Sequence, residues 1–195
     1  MRVVYAQIDS SLNRDNLAKH IDIINKASGD LIVFPELSLS GYMLQDKLFE
    51  NAYIINELQE VIELSYDIDI ILGVALREKN AIYNASLYLS QNRILHIHKK
   101  VYLPNYGMFE EARFFTKGEN INTFKTKFGI FAMIICEDLW RAETINILSQ
   151  INPDFISVIS NSPARDFKDG GLEIEDQWNA LLKSCALFLI LKYQQ

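Results

Sequence analysis

The sequence predicts an α/β protein in which a mixed β-sheet is layered under helices. Short apolar runs typical of buried strands alternate with longer segments of helical periodicity. Two pairs of strands are separated by only a few polar residues, which indicates hairpins. Alternating strands and helices favour parallel pairing and hairpins require antiparallel pairing, so we expect both in the same protein. Periodicity alone does not distinguish one flat sheet from a sandwich of two sheets.

The first part of the chain is predicted to supply three strands and two helices. Three apolar, β-branched segments are the predicted strands: 2–8, 30–34 and 68–76. Asn13 is predicted to cap the first helix, whose apolar face carries Leu17, Ile21 and Ile24. A second helix is predicted over 46–65, because apolar residues recur there at helical spacing.

The remaining elements include both predicted hairpins and a long irregular segment. One hairpin covers 81–101 with a turn at Gln91 and Asn92, and the other covers 124–135 with a turn near Lys127. Long irregular segments in compact domains are usually functional, and 103–117 is such a segment. The last predicted elements are a helix, a strand, a polar loop and a helix, over 143–150, 154–159, 160–171 and 172–192.

The composition is that of an ordinary globular protein and argues against several functional classes. The chain has 195 residues, a net charge of −6 and no basic stripe that would suit nucleic acid. Its two cysteines do not make a disulfide framework and fit a reducing compartment. The N-terminus has no signal-peptide pattern, and the apolar stretch 184–191 is too short to span a bilayer. We therefore expect one cytoplasmic domain over 1–195, without nucleic-acid or membrane partners.

Three side chains that could together form a catalytic site follow predicted strands. Glu36, Lys100 and Cys136 each stand where a strand gives way to a loop, and sites in α/β folds collect at strand ends. A thiol needs a base or a nearby cation to become a nucleophile, and a carboxylate and an ammonium can serve these roles. The N–H groups that open the segment after Cys136 favour a thiolate and can hold an oxyanion.

Three segments resemble, in order, the signatures of the carbon–nitrogen hydrolases, also called the nitrilase superfamily. They are FPELSLSGY at 34–42, HKKVYLP at 98–104 and ICEDLW at 135–140. The resemblance implies a nitrilase-type α-β-β-α sandwich, with two mixed sheets between helix layers and with its C-terminal part missing. It also implies a catalytic triad in which Glu36 is general base and acid, Lys100 stabilises the oxyanion and Cys136 is the nucleophile.

The segment LPNYGMFEEARFF at 103–115 is similar to the glutaminase domain of glutamine-dependent NAD synthetases. This resemblance implies that Glu111 is a second glutamate that helps to place the lysine and the substrate. SNSP at 160–163 resembles the family's substrate loop after the cysteine, which makes Ser160 and Ser162 substrate-binding candidates. The other candidates for substrate contact are Tyr42, Tyr106 and Glu137. The Gly-rich loop of the synthetase's ATP-pyrophosphatase domain has no match in this sequence.

The implied reaction is hydrolysis of a small carboxamide, such as glutamine or another ω-amide, through a thioester on Cys136. The resemblance implies no metal or organic cofactor, a small-molecule substrate and a homo-oligomer. Two alternatives stay open: a catalytically inactive homologue that acts as a subunit or interaction protein, and an enzyme for nitriles or N-carbamoyl compounds.

For several of these residues, the functional assignment has an alternative: a neighbouring residue could have the role, or the side chain could simply pack in the core. Lys99 and Glu110 adjoin Lys100 and Glu111, and are expected to be solvated surface residues. Cys185 is expected to pack in the core of the last helix together with Leu181, Phe188 and Leu189. His96 and His98 could bind zinc, but Lys100 on the same strand face repels a cation and no third ligand is evident, so we predict no metal site.

Overall fold

A computed structural model describes residues 1–42, 44–163, 167–168 and 171–191 of the chain. Its larger sheet has five strands in the order β1-β2-β3-β4-β5. The strands are β1 (Val3–Tyr5), β2 (Leu31–Val33), β3 (Asp69–Glu78), β4 (Ala81–Ser90) and β5 (Arg93–Lys99). β1, β2 and β3 are parallel, whereas β3, β4 and β5 are antiparallel neighbours. The turn between β4 and β5 has positive φ at Gln91 and Asn92, as two-residue hairpin turns require, so the predicted hairpin is confirmed.

A second sheet has three strands in the order β6-β7-β8. They are β6 (Thr123–Thr126), β7 (Gly129–Ile135) and β8 (Phe155–Ile159), with β6 antiparallel and β8 parallel to β7. A separate antiparallel pair consists of β9 (Phe167–Lys168) and β10 (Gly171–Leu172). The polar loop predicted over 160–171 therefore contains two short strands, and its residues 164–166 and 169–170 lie outside the described part.

The described residues form six α-helices, four of which cover the outer faces of the two facing sheets. They are α1 (Asn16–Lys26), α2 (Leu48–Asn51), α3 (Gln59–Leu64), α4 (Glu111–Phe114), α5 (Ala142–Ile151) and α6 (Glu173–Leu191). Between the sheets, Ile71 and Tyr88 of the larger sheet pack with Phe131 and Met133 of the smaller one. α1 and α3 pack on the outside of the larger sheet, and α5 and α6 on the outside of the smaller one. The α-β-β-α sandwich is confirmed.

The helix predicted over 46–65 is interrupted, and that prediction was wrong. Tyr53 forms a parallel bridge with Leu76, donating from its N–H to Ala75 O and accepting from Arg77 N. β2 is too short to pair with the second half of β3, so Tyr53 satisfies backbone groups that would otherwise be unpaired there. The apolar residues at helical spacing instead belong to several separate short helical turns.

Two smaller predictions also need correction. Asn13 does not cap α1, because the helix begins at Asn16 and the Asn13 carbonyl oxygen Oδ1 accepts a hydrogen bond from Asp15 N. Cys185 is buried as expected, but Phe188 of the same predicted stripe is 62% exposed. Within the described part of the chain, no helix is long and apolar enough to cross a membrane.

Gly73 of β3 allows the segment that carries Glu36 to lie directly against the sheet. A Cβ at this position would be 2.4 Å from Pro35 O, 2.5 Å from Leu37 N and 2.8 Å from Glu36 Cα. These are backbone atoms that cannot move aside independently, so a side chain at Gly73 would displace Glu36.

The buried side chain of His20 is expected to make the fold less stable in acid. The ring is fully buried, with Nδ1 2.7 Å from Asn16 O and Nε2 3.0 Å from Ser38 Oγ, and burial lowers its pKa to about 4. The unfolded chain takes up this proton near the ordinary pKa of 6.5, so stability is complete above that pH and falls as the pH drops towards 4. We expect a loss of up to ~3 kcal/mol in the free energy of unfolding.

Urea unfolding of the chain and of its His20→Gln variant at several pH values between 7 and 4 measures this effect. The glutamine side chain does not titrate, so stability should depend less steeply on pH in the variant than in the original chain. Parallel pH profiles for the two proteins would assign the acid sensitivity to other groups.

Candidate active site

The Glu36 carboxylate is fully buried and held at both oxygens. Glu36 follows β2 after Pro35, at the position that Gly73 permits. Its Oε1 accepts hydrogen bonds from Lys100 Nζ at 2.7 Å and Asn84 Nδ2 at 2.8 Å. Its Oε2 accepts from the backbone N–H of Asn161 at 3.0 Å. The carboxylate therefore has a fixed orientation.

Lys100 directly follows β5 and is as fully buried as Glu36. Its ammonium group lies 2.7 Å from Glu36 Oε1 and 2.8 Å from Glu111 Oε1. Burial lowers the pKa of Lys100, but the two carboxylates outweigh it and hold that pKa above its ordinary value. Lys100 therefore stays positively charged. Lys99 instead lies partly exposed and pairs with Glu78.

Glu111 opens α4 and places a second carboxylate on the Lys100 ammonium. Burial raises the pKa of Glu111 to about 7, with Lys100 acting against this shift and Glu36 adding to it. Glu111 Oε2 is buried and has no hydrogen-bond partner among the described residues. Glu110 is exposed and faces Arg113, as expected for the surface neighbour.

Cys136 stands at the end of β7 with a φ of 44°, in the left-handed region that residues other than glycine rarely adopt. Cys136 is also the first residue of a 3₁₀ helix, Cys136–Trp140. Burial and the Glu36 charge raise the pKa of the thiol, while Lys100 and the Ser160 hydroxyl act in the opposite direction. The resting group is therefore a protonated thiol, which differs from the expectation that this turn favours thiolate. Desolvation by the surrounding protein is the largest cause of this raised pKa.

Cys136 lines a cavity of about 220 Å³ whose walls include five aromatic side chains. Four of the predicted substrate residues also line it: Tyr42, Tyr106, Glu137 and Ser162. Further lining comes from Phe109 and Trp140, which lie within the quoted segments but were not among the predicted substrate residues, and from Gln177 and Trp178, which no motif had indicated. Ser160 is placed beside the thiol instead, and Glu111 lines a smaller cavity that shares Tyr42 and Phe109.

One carboxylate on the cavity wall is held by two neighbours. Glu137 Oε2 accepts a hydrogen bond from Tyr106 OH at 2.7 Å, and Glu137 Oε1 accepts one from the Arg141 guanidinium. Burial and Glu137 raise the pKa of Tyr106 to about 12. Burial also raises the pKa of Tyr42, with further contributions from Glu36 and Glu111. Both tyrosines are therefore neutral phenols.

Two buried polar residues that support this site were not identified from the sequence. Asn84 donates to Glu36 from its side chain, and its backbone oxygen accepts from Lys100 N at 2.8 Å. Asp138 binds backbone groups next to Lys100 and Cys136. The available signal was a polar side chain within an apolar strand, for Asn84, and a second acid after the cysteine, for Asp138.

The histidine pair of β5 is used in packing and hydrogen bonding. His98 Nε2 lies 2.8 Å from Asp138 Oδ2, and the His96 ring stacks on Phe124 at 4.4 Å. Among the residues that the structure describes, no three His, Cys, Asp or Glu side chains are grouped so that they could hold a metal ion.

A helix-flanked sandwich of two mixed sheets, with a strand-end cysteine beside a buried Glu–Lys pair, defines a protein of the nitrilase fold class. The chain belongs to the carbon–nitrogen hydrolase family, whose sequence model matches residues 2–189.

Its relatives include glutamine-dependent NAD(+) synthetases. The chain is 32% identical over 160 residues to the enzyme of Acinetobacter baylyi, covering 80% of this chain and 29% of the relative. A solved glutamine-dependent NAD+ synthetase of Acinetobacter baumannii shares 32% identity and a TM-score of 0.76, covering 84% of this chain and 33% of that one.

A carbon–nitrogen hydrolase of Helicobacter pylori matches the fold alone, with 16% identity and a TM-score of 0.81, over 95% of this chain and 69% of that one. The chain thus spans less than a third of the length of the A. baylyi synthetase.

Proposed function

We propose that this chain hydrolyses the C–N bond of a small amide through a thioester on Cys136. The observation that carries the proposal is the fully buried Glu36–Lys100 ion pair, 2.7 Å long, whose charges both act on the Cys136 thiol. Burying a carboxylate and an ammonium costs free energy that hydrophobic residues would not, so this pair is better explained by chemistry than by stability.

In the proposed mechanism Glu36 is the base. The thiol is protonated at rest and Lys100 stays charged, so a different group must accept the thiol proton when the reaction starts. Glu36 takes the thiol proton as sulfur forms a bond to the amide carbonyl carbon. The carbonyl oxygen becomes an oxyanion, which Lys100 and the backbone N–H of Glu137 stabilise.

Collapse of the tetrahedral intermediate breaks the C–N bond. Glu36 gives its proton to the departing nitrogen, which leaves as ammonia, and the acyl group stays on Cys136 as a thioester. Glu36 then removes a proton from water, the resulting hydroxide attacks the thioester, and the thiol leaves with the proton. The products are a carboxylic acid and ammonia, and the chain's own residues suffice for each proton transfer.

Glutamine is the amide that the site favours. A cavity of about 220 Å³ suits a molecule of amino-acid size, and the Glu137 carboxylate on its wall can receive a substrate ammonium group. The related synthetases are named as glutamine-dependent, which points to the same substrate. A cytoplasmic location and self-association of the chain remain predictions.

An ammonia-release assay with purified chain tests the proposal. The panel includes glutamine, asparagine, a dicarboxylic acid ω-amide without an amino group, an aliphatic nitrile and an N-carbamoyl amino acid. We expect glutamine to be the best substrate, and mass spectrometry after acid quench to find the acyl adduct on Cys136 and none on Cys185.

Preferred turnover of the nitrile or the N-carbamoyl compound would assign a different substrate class to the same thiol chemistry. Absence of product and adduct with every compound would contradict the proposal and favour the inactive homologue.

A further inference from the structure

The Asp138 carboxylate is fully buried and accepts four hydrogen bonds. Its Oδ1 accepts from the backbone N–H groups of Val101 at 3.0 Å and Tyr102 at 2.9 Å. Its Oδ2 accepts from Ile135 N at 3.0 Å and His98 Nε2 at 2.8 Å. Three backbone N–H groups already donate to this carboxylate, so we assign the fourth contact to a hydrogen on His98 Nε2.

These donors enclose the two residues that the mechanism brings together. His98 and Val101 flank Lys100 along the chain, and Ile135 and Asp138 flank Cys136. Lys100 ends a strand of the larger sheet, whereas Cys136 ends a strand of the smaller one. One carboxylate therefore joins the backbone around the ammonium to the backbone around the thiol, across the boundary between the sheets.

The turn at Cys136 needs such a restraint. Its φ of 44° places a side-chain-bearing residue in a conformation that costs of the order of 1–3 kcal/mol and persists only when surrounding contacts hold it. Asp138 supplies one of these contacts, because its side chain binds Ile135 N just before the turn while its own backbone lies in the 3₁₀ helix that begins at Cys136.

We propose that Asp138 and His98 are positioning residues that set the distance between the Lys100 ammonium and the Cys136 thiol. Neither touches substrate in this scheme. His98 holds Asp138 in the orientation that binds the two backbones, and Asp138 keeps the thiol within reach of the Lys100 charge. The inference rests on the proposed function for its effect on turnover, but not for its effect on thiol reactivity.

Four variants test the pair. Asp138→Asn removes the charge and turns an NH2 group towards backbone donors, and His98→Leu removes the donor to Oδ2. Each should lower kcat by about 10²-fold with little change in KM, because small displacements of reacting groups are that costly. His98→Gln restores an N–H donor and should recover most of the rate. His96→Leu, on the same strand, is the matched control and should leave kcat unchanged.

The alkylation rate of Cys136 by iodoacetamide, followed by mass spectrometry with Cys185 as internal reference, is the second measurement. Lys100 lowers the pKa of the thiol, so displacing it should slow labelling of Asp138→Asn and His98→Leu at pH 8 by about threefold. Thermal unfolding identifies a variant that has lost its fold, in which case the histidine variants decide the question.

The possible failures are distinguishable. If the unmodified chain releases ammonia and all four variants match it in kcat and labelling, the positioning role is wrong and the proposed function stands. If the unmodified chain releases none, the proposed function fails and labelling alone decides the positioning role. Failure of His98→Gln to recover function, beside a folded His98→Leu, would contradict the role given to the Nε2–H group.

Discussion

Replacing Lys100 by methionine is expected to reduce ammonia release by about 10³-fold and to lower the free energy of unfolding by about 3–5 kcal/mol. Methionine fills a similar volume but supplies no charge. Glu36 and Glu111 would then lie buried at the place where they now share one ammonium group, at 2.7 and 2.8 Å. Two uncompensated carboxylates repel each other and are desolvated, and both effects lower the free energy of unfolding of the variant.

This loss of stability should depend on pH in a defined direction. Lys100 acts to lower the pKa of Glu111, which burial has already raised to about 7. Without Lys100 the folded variant keeps a proton on Glu111 to higher pH than the unfolded chain does. A group with a raised folded-state pKa favours folding at low pH and loses that contribution as the pH rises. The variant should therefore be less destabilised at pH 5 than at pH 8.

Lys99→Met is the matched control for this experiment. Lys99 differs from Lys100 by one position, carries the same charge and lies partly exposed, 2.6 Å from Glu78. Pairs of this kind contribute about 0–1 kcal/mol, so stability and ammonia release should change little. Urea unfolding and the ammonia assay measure both effects, and equal behaviour of the two variants would show that the buried ion pair has no special role.

Replacing Cys136 by alanine is expected to reduce ammonia release by about 10⁴-fold or more, because no other group in the scheme can form the thioester. The free energy of unfolding should change by less than about 1 kcal/mol, because alanine at a φ of 44° has the same backbone strain as cysteine. Activity and stability are thus expected to separate at this residue.

Cys185→Ala should behave in the opposite way. Cys185 is 5% exposed in α6 and packs in the core on the outer face of the smaller sheet. Losing its sulfur leaves a small void, so stability should fall by about 1 kcal/mol while ammonia release is retained. The ammonia assay and urea unfolding of both variants give the comparison. Substantial turnover by folded Cys136→Ala would exclude the thioester mechanism.

The sequence predicted the structure best where residues within one short segment determine the local conformation. Glu36 and Cys136 follow strands with plain apolar runs, Lys100 follows a mixed strand that contains two histidines, and the structure brings these three side chains together. The hairpin turn at Gln91 and Asn92 is equally local, because two positive φ values in a polar pair define it.

What could not be predicted depends on contacts between distant segments. Tyr53 interrupts a helical pattern because the second half of β3 has no partner in the short β2, which only the strand pairing reveals. The raised pKa of the Cys136 thiol follows mainly from its burial, which depends on how distant parts of the chain pack around the turn. Asn84 and Asp138 act through partners 48 and up to 40 positions away, so the local signal at each residue does not reveal what it binds.

The division of the site between two sheets has a consequence for how the protein loses function. Glu36 and Lys100 belong to the larger sheet, and Cys136 belongs to the smaller one. If the sheets separate slightly, each retains its own hydrogen-bonded ladder while the thiol moves away from Glu36, its proposed base. As the denaturant concentration rises, we therefore expect ammonia release to be lost before the circular dichroism signal changes. Turnover would then report on the packing of the two sheets against each other while each sheet is still folded.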